Sequence, residues 1–137
     1  MLIQGSSFKD ERGTLHYVND FHFEGIKRFH TIFHPDISVI RAWQGHKIES
    51  KHFFCTRGKF LIAWVEIDNW DKPGMELQVN KIILSEDLPQ MLTIPPGNAN
   101  GFKALESDSQ LISFSTLTLE EAKKDDYRYP VNYWSMQ

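Results

Sequence analysis

Residues 37–67, with the sequence ISVIRAWQGHKIESKHFFCTRGKFLIAWVEI, contain the pattern that decides the fold. β-Branched and aromatic residues dominate both halves of this stretch, which is typical of β-strands. The pattern predicts a strand over residues 37–46, a polar turn over 47–50, and two more strands over 51–56 and 59–67. Because only Arg57 and Gly58 separate the last two strands, we expect them to form a β-hairpin.

The rest of the chain repeats this alternation of short strands and turns. Further strands are predicted over residues 14–18, 25–33, 76–84, 101–105 and 110–117. Helix is indicated only near the end, where Thr118 and Glu121 form a capping-box pattern and Pro130 limits the helix to about two turns. Many short strands with regular turns predict an all-β barrel or double-sheet jelly roll with a short C-terminal helix.

Length and composition restrict the possible functions. A chain of 137 residues fits one domain, 1–137, and its net charge of −3 argues against nucleic-acid binding. Cys55 has no partner for an internal disulfide, and we expect it to be a small buried residue. The N-terminal residues MLIQGSSFKD have no signal-peptide pattern and no apolar run reaches membrane-spanning length, so we expect a cytoplasmic protein without a membrane partner.

Polar residues interrupt the apolar pattern at fixed intervals. Gln44 and His46 are two residues apart, Lys51 follows five residues later, and Gly58 seven residues after that. This is the spacing of the first cupin motif, and IPPGNANGF at residues 94–102 matches the second. A metal-binding cupin would have His, His, Glu and His where this chain has Gln44, His46, Lys51 and Asn100. One imidazole is too few ligands, so we expect neither a metal nor another cofactor.

Two interpretations of these polar residues remain open from the spacing alone. In the first, the Lys51 ammonium lies in a semi-enclosed cavity, where it can stabilise an enolate or bind a phosphate. In the second, Lys51 extends to solvent while Gln44 and His46 are hydrogen-bonded polar residues of the core.

The order of several motifs resembles two families of nucleotide-sugar enzymes. FKDERG at residues 8–13, VIRAWQ at 39–44, SKHFFCTRG at 50–58 and residues 94–102 match successive motifs of the dTDP-4-dehydrorhamnose 3,5-epimerases. IKR at residues 26–28 and RAWQGHK at 41–47 are similar to segments of the related dTDP-sugar 3,4-ketoisomerases. The resemblance covers nearly the whole chain and implies a cupin double-stranded β-helix.

The resemblance also implies roles for individual residues. Arg12 and Arg41 match the arginines that contact the nucleotide diphosphate, a task that suits a guanidinium group. Lys51 matches the lysine that stabilises the enolate, and His46 matches the second histidine of the ketoisomerase motif.

Three positions depart from the implied families. Gln44 stands at the position of the catalytic base, Ser113 at that of the acid tyrosine, and Asn100 at that of a histidine. Because an amide cannot take up a proton at neutral pH, we expect His46 to replace the base, with His30 as the next candidate. Arg41 and Gln44 are also three residues apart, so a regular strand would place them on opposite faces, and Ala42 disfavours a bulge there.

The first functional hypothesis is a metal-independent epimerase or isomerase of a nucleotide-linked 4-keto-6-deoxy sugar in cell-surface polysaccharide biosynthesis. The alternative is a catalytically impaired cupin that binds a nucleotide sugar without turnover, as the residues at 44, 100 and 113 suggest. A third hypothesis, a metal-dependent cupin oxygenase, would require a stoichiometric metal. The resemblance also implies a homodimer that exchanges an N-terminal strand within residues 1–18.

Overall fold

The computed structural model describes residues 1–137 and contains twelve strands and one short helix. The strands are β1 (Leu2–Gln4), β2 (Ser6–Asp10), β3 (Gly13–Tyr17), β4 (Arg28–His34), β5 (Ile40–His46), β6 (Lys51–Arg57), β7 (Lys59–Glu66), β8 (Asn80–Ser85), β9 (Gln90–Ile94), β10 (Asn98–Ala104), β11 (Ser109–Ser115) and β12 (Tyr127–Arg128). The helix is α1 (Leu119–Lys123).

Two five-stranded antiparallel sheets form the body of the protein. Sheet I has the order β1-β9-β6-β11-β4, and sheet II has the order β12-β5-β10-β7-β8. β2 and β3 form a separate two-stranded hairpin. The all-β jelly roll predicted from the sequence, including its short C-terminal helix, is therefore confirmed.

The predicted hairpin of residues 51–67 is wrong. β6 pairs with β9 and β11 in sheet I, whereas β7 pairs with β8 and β10 in sheet II. Gly58 makes the corner between the two sheets with a φ of +74°, and a Cβ atom there would overlap the Ser109 side chain. The local pattern of strand, glycine and strand is the same for a hairpin and for a corner, so the sequence could not separate them.

Apolar side chains from both sheets pack between them. The cluster includes Phe53 and Leu111 from sheet I and Phe60, Ile62 and Phe102 from sheet II, all of them buried. Burying this apolar surface stabilises the association of the two sheets. Cys55 belongs to the same cluster, as expected, and burial raises the pKa of its thiol to about 11, so it is an unreactive side chain.

A bulge in β5 resolves the geometry of Arg41 and Gln44. Asn100 of β10 is opposite Gln44, but the next residue, Gly101, is opposite Ala42, so Trp43 has no partner on β10. The extra residue turns Arg41 to the same side of sheet II as Gln44, contrary to the expectation that a bulge is disfavoured. A Cβ atom on Gly101 would lie 2.6 Å from that of Ala42, so the glycine that makes room for the bulge is on the neighbouring strand.

The C-terminal segment closes one edge of sheet II. The capping box is confirmed, because Thr118 Oγ1 accepts from the Glu121 N–H and the Glu121 carboxylate accepts from the Thr118 N–H. β12 then pairs with β5, and Trp134 packs against Trp43 on the outer face of the sheet. No helix of the protein has the length and apolar character needed to cross a membrane.

Candidate functional site

The space between the sheets is apolar at one end and polar at the other. At the polar end the two sheets separate around a cavity of about 490 Å³, a volume within the range of small-molecule sites. Six of the eight residues that the sequence indicated line this cavity: His30, Arg41, Gln44, Lys51, Asn100 and Ser113.

The other two indicated residues are elsewhere. Arg12 lies at the turn of the β2–β3 hairpin with an 80% exposed side chain, where it binds Asp10 at 2.6 Å. His46 is buried next to the cavity but is not part of its wall. Within one chain, the structure therefore brings Arg41 but not Arg12 to the cavity.

Lys51 is a buried cation in the cavity wall. Lys51 is only 7% exposed, and its Nζ lies 3.9 Å from Oε2 of Glu49. Burial lowers the pKa of Lys51, and the neighbouring Glu49 carboxylate counteracts this decrease. Lys51 thus lies in the cavity wall, as in the first interpretation, whereas His46 is a hydrogen-bonded polar residue of the core, as in the second.

Glu49 contacts side chains of several strands at the polar end of the inter-sheet space, although no motif or spacing pointed to this residue. Its side chain is fully buried, and Oε2 accepts hydrogen bonds from Arg28 Nη2 at 3.1 Å and from the Ser115 hydroxyl. His46 Nδ1 is 3.1 Å from Oε1. One carboxylate thus contacts side chains of β4, β5, β6 and β11, and the basic groups around it offset the cost of burying its charge.

The protonation of the His46 ring follows from its contacts. Nδ1 is 2.8 Å from the carbonyl oxygen of Asp125, which can only accept, so Nδ1 carries the proton. Burial lowers the pKa of His46, and the neutral ring then leaves Nε2 without a proton. Nε2 is buried without a hydrogen-bond partner, and it does not lie on the cavity wall.

His30 is the titratable base that does face the cavity. It is the cross-strand neighbour of Ser113, and both side chains line the cavity. Burial, together with the positive charges of Lys51 and Arg28, lowers the pKa of His30. The ring is therefore neutral at pH 7 and able to accept a proton.

Two buried polar groups on the cavity wall have no partner within the chain. They are Nδ2 of Asn100, a donor, and Oγ of Ser113, which can donate or accept. Buried polar atoms are almost always hydrogen-bonded, since leaving one unpaired costs about 1–3 kcal/mol. Because both groups face one cavity, a polar ligand or a water molecule there can complete their hydrogen bonds.

The C-terminal segment supplies the rim of the cavity. Gln44 Nε2 donates to Asp126 Oδ1 at 3.0 Å, and Arg128 Nε donates to the same oxygen at 2.8 Å. Because a carboxylate only accepts, the Gln44 amide must direct its NH₂ group at Asp126. The carbonyl oxygen of Gln44 remains free to accept from a ligand.

Arg41 is held at the mouth by a histidine. Its Nε donates to His34 Nε2 at 3.1 Å. Burial, and then the charge of Arg41, lowers the pKa of His34, so the ring is a neutral acceptor. The terminal nitrogens of Arg41 are left for an anionic ligand.

The arrangement offers cations and uncharged donors rather than metal ligands. Arg41, Lys51 and Arg128 line the cavity, whereas no carboxylate does. No group of three His, Cys, Asp or Glu side chains is placed to hold a metal ion. Chemically, the site suits an anion that carries a carbonyl or hydroxyl group, with His30 available for proton transfer.

Comparison with known proteins identifies the class of fold. No protein-family model and no curated protein sequence matches the chain significantly. Solved structures do match: the fold is the cupin double-stranded β-helix of nucleotide-sugar epimerases and ketoisomerases. The resemblance given by the sequence motifs is confirmed at the level of the fold.

Three of these structures are representative. The dTDP-4-dehydrorhamnose 3,5-epimerase of Sulfolobus tokodaii is 26% identical, with a TM-score of 0.76 over 96% of this chain and 77% of that chain. The rmlC epimerase of Mycobacterium tuberculosis is 14% identical, with a TM-score of 0.77 over 96% of this chain and 68% of that one. The sugar 3,4-ketoisomerase QdtA of Thermoanaerobacterium thermosaccharolyticum is 22% identical, with a TM-score of 0.73 over 97% and 90%.

Proposed function

We propose that the protein is a metal-independent epimerase or isomerase of a nucleotide-linked 4-keto-6-deoxy sugar. Six of the residues indicated by the sequence line one cavity, in a protein that has the fold of such enzymes. This observation supports the proposal most directly. The Sulfolobus tokodaii and QdtA structures are named for reactions on dTDP-linked sugars. A role in cell-surface polysaccharide biosynthesis, in the cytoplasm, follows from the same proposal.

The proposed chemistry is a proton transfer next to the ketone of the sugar. His30 removes the proton, because it is the neutral imidazole on the cavity wall. The Lys51 ammonium stabilises the negative charge that develops on the ketone oxygen, and return of a proton to carbon completes the epimerisation or isomerisation. Arg41 binds the diphosphate, and the unpaired groups of Asn100 and Ser113 hold the sugar. His46 is placed behind the wall and is the weaker candidate for the base.

Deuterium incorporation tests this proposal directly. We expect wild-type protein in heavy water to exchange a proton of dTDP-4-keto-6-deoxyglucose for deuterium, measured by mass spectrometry. The His30→Asn substitution should reduce the rate of deuterium incorporation about 100-fold or more, since general bases contribute that much. Replacing the exposed His22, which lies outside the β2–β3 hairpin, by Asn is the matched control and should leave the rate unchanged. Absence of exchange with every 4-keto sugar offered would exclude this function.

A second function is favoured by the residues that replace the base and the acid. Gln44 and Ser113 cannot titrate near pH 7, so the cavity suits binding of a nucleotide sugar without turnover. Thermal shifts with dTDP, UDP, GDP and CDP, alone and as sugar conjugates, measure this binding. A shift that disappears in Arg41→Ala, without deuterium exchange, would support binding over catalysis. A shift that Arg41→Ala leaves intact would place the ligand outside the cavity.

We further propose that the protein is a homodimer in which the β2–β3 hairpin of one subunit reaches the other. A two-stranded hairpin is marginally stable alone, and this one exposes about half or more of Phe8 and Leu15 to solvent. β4 is the edge strand of sheet I beside the cavity, and its outward-facing Phe29 and Phe33 are also exposed. A hairpin bound along β4 would cover these residues and bring Arg12 towards the partner's cavity.

Mixed dimers test this arrangement. Arg12→Ala and Lys51→Met subunits should each be inactive as homodimers, while a mixed dimer contains one site with both residues. Activity should therefore reappear when the two proteins are refolded together, and light scattering should give the mass of a dimer. A monomer in solution, or no complementation, would contradict hairpin exchange.

A further inference from the structure

We propose that Glu49 is a positioning residue that keeps the Lys51 side chain charged and directed at the cavity. The role assigned to Lys51 rests on the proposed function, but its dependence on Glu49 can be measured without any substrate. Glu49 belongs to none of the sequence motifs, and it does not line the cavity.

Glu49 lies directly behind the part of the cavity wall that Lys51 forms. Its carboxylate is completely buried, and Oε2 lies 3.9 Å from Lys51 Nζ. Arg28 and Ser115 bind the same oxygen from the two neighbouring strands of sheet I, so the carboxylate cannot turn away from Lys51. A charge fixed by two hydrogen bonds is a better counter-ion than a mobile one, since no ordering entropy is lost when it acts.

The backbone of Glu49 is also fixed. The Asp125 carboxylate accepts from the N–H groups of Lys47, Ile48 and Glu49 at 2.7, 2.9 and 2.8 Å. Asp125 is itself 2% exposed. The turn that carries Glu49 is therefore attached to the segment after α1, and both ends of the Glu49 residue are held.

The remaining charges around Lys51 do not replace Glu49. Arg28, His30 and His46 are positive or neutral, and Arg128 from the C-terminal segment is positive. Asp126 is the other acid that acts on Lys51, but it is exposed and already binds Gln44 and Arg128. Glu49 is thus the only buried carboxylate that faces the Lys51 ammonium among the groups packed around it.

The consequence is a change of protonation if Glu49 loses its charge. Burial alone favours the neutral amine, which could not stabilise an enolate or bind a phosphate. Glutamine at position 49 has the same shape and can still accept from Arg28 and Ser115. Glu49→Gln therefore removes the charge with little change in the packing.

NMR of lysine-labelled protein measures the effect. The Cε resonance of Lys51, assigned by its disappearance in Lys51→Met, is followed against pH in wild type and Glu49→Gln. We expect the acid dissociation constant of Lys51 to rise by at least about tenfold in Glu49→Gln. Glu106→Gln, which removes an exposed carboxylate 3.5 Å from Lys59, is the matched control and should leave Lys51 unchanged.

Two further measurements make the test independent of one variant. Glu49→Asp keeps the charge, so the titration of Lys51 should stay closer to wild type than to Glu49→Gln. In wild type, the NMR resonance of the Glu49 carboxyl carbon should shift at the pH at which Lys51 loses its proton. This measurement does not require a folded variant. Coincident Lys51 curves in wild type and Glu49→Gln would overturn the proposal, as would a Glu49 resonance that does not respond.

The two proposals can fail separately. If the titration of Lys51 depends on Glu49 but the protein shows no deuterium exchange, the epimerase function is excluded and the role of Glu49 is kept. If deuterium exchange persists in Glu49→Gln with an unchanged pH profile, the enzymatic function is kept and the positioning role of Glu49 is excluded.

Discussion

The two ends of the inter-sheet space are built by the same strands but serve different purposes. Along β6, inward-facing Lys51 at the cavity is followed two residues later by Phe53 in the apolar core. β11 changes in the same way from Ser113 to Leu111, and β10 from Asn100 to Phe102. A single register thus supplies an apolar half, which holds the sheets together, and a polar half that leaves buried groups without partners.

This difference separates stability from function within one barrel. Each residue of the apolar half buries surface that favours folding. Each unpaired donor or desolvated charge of the polar half costs free energy until a ligand supplies its partner. Substitutions should therefore have opposite effects on stability in the two halves, and the following measurements can confirm or contradict that contrast.

The largest effect on stability is expected from the apolar half. Phe60 is completely buried and packs against Phe102 and His34. Phe60→Ala should lower the free energy of unfolding by about 3–5 kcal/mol, because it removes apolar contacts and leaves a cavity. Urea denaturation measures the loss; a change below about 1 kcal/mol would show that the apolar half does not dominate stability.

In the polar half, replacing Lys51 should affect activity far more than stability. Lys51→Met fills a similar volume without a buried charge, but it also leaves Glu49 without one of its basic neighbours. We expect deuterium exchange to fall about 100-fold or more, while the free energy of unfolding changes by less than about 1 kcal/mol. Large losses of both would mean that Lys51 is a structural residue.

A smaller effect is expected at Ser113. Its buried hydroxyl has no partner, so Ser113→Ala removes a desolvated polar atom without leaving a large void. The ligand-free protein should become more stable by up to about 1 kcal/mol, whereas ligand-induced stabilisation should decrease. Thermal melts with and without dTDP compare the two states. Destabilisation of the ligand-free protein would indicate that a bound water already satisfies the hydroxyl.

The pH dependence of stability should come from the buried histidines, among them His30 and His46 of the polar half. Burial lowers the pKa of His30, His34, His46 and His52 in the folded state below the ordinary value of 6.5. The unfolded chain therefore binds more protons, so stability is full above pH 6.5 and is lost as the pH falls below it. Denaturation at pH 7.5, 6.5 and 5.5 should show this decrease, with a weaker decrease in His30→Asn. An unchanged slope in that variant would show that His30 is not the source.

The smallest effect is expected on the surface, away from both halves. Lys59 and Glu106 form an ion pair 3.5 Å apart, with both side chains more than 40% exposed. Lys59→Ala should change the free energy of unfolding by no more than about 0.5 kcal/mol, because solvent screens such pairs. A larger loss of unfolding free energy, measured by urea denaturation, would show that surface ion pairs also contribute substantially to stability.

Much of the fold could be predicted from local patterns. The pattern of residues 25–33 predicted a strand, and β4 does lie there, with His30 and Ile32 facing the space between the sheets. The capping box of α1 was also a local signal. What local pattern could not give was the sheet to which a strand belongs, since β6 and β7 differ in their partners and not in their composition.

The site was only partly accessible from the sequence. Motif spacing brought together Gln44, Lys51 and Asn100 because their strands have a fixed register. Asp125 was missed because its contacts with residues 46–49 are 76 to 79 residues away, and Glu49 because Arg28 and Ser115, which fix its carboxylate, are 21 and 66 residues away. The bulge at Trp43 was missed because the glycine that permits it, Gly101, is on a different strand.

The attachment of Asp125 to the turn at residues 47–49 makes the completed cavity depend on the last part of the chain. Residues 125–129 follow every strand of the two sheets except β12. They anchor the Glu49 turn and supply Arg128 and Tyr129 to the cavity rim. A chain truncated before Asp125 would therefore contain eleven of the twelve strands but an unfinished cavity, and it should bind ligand more weakly than the full chain.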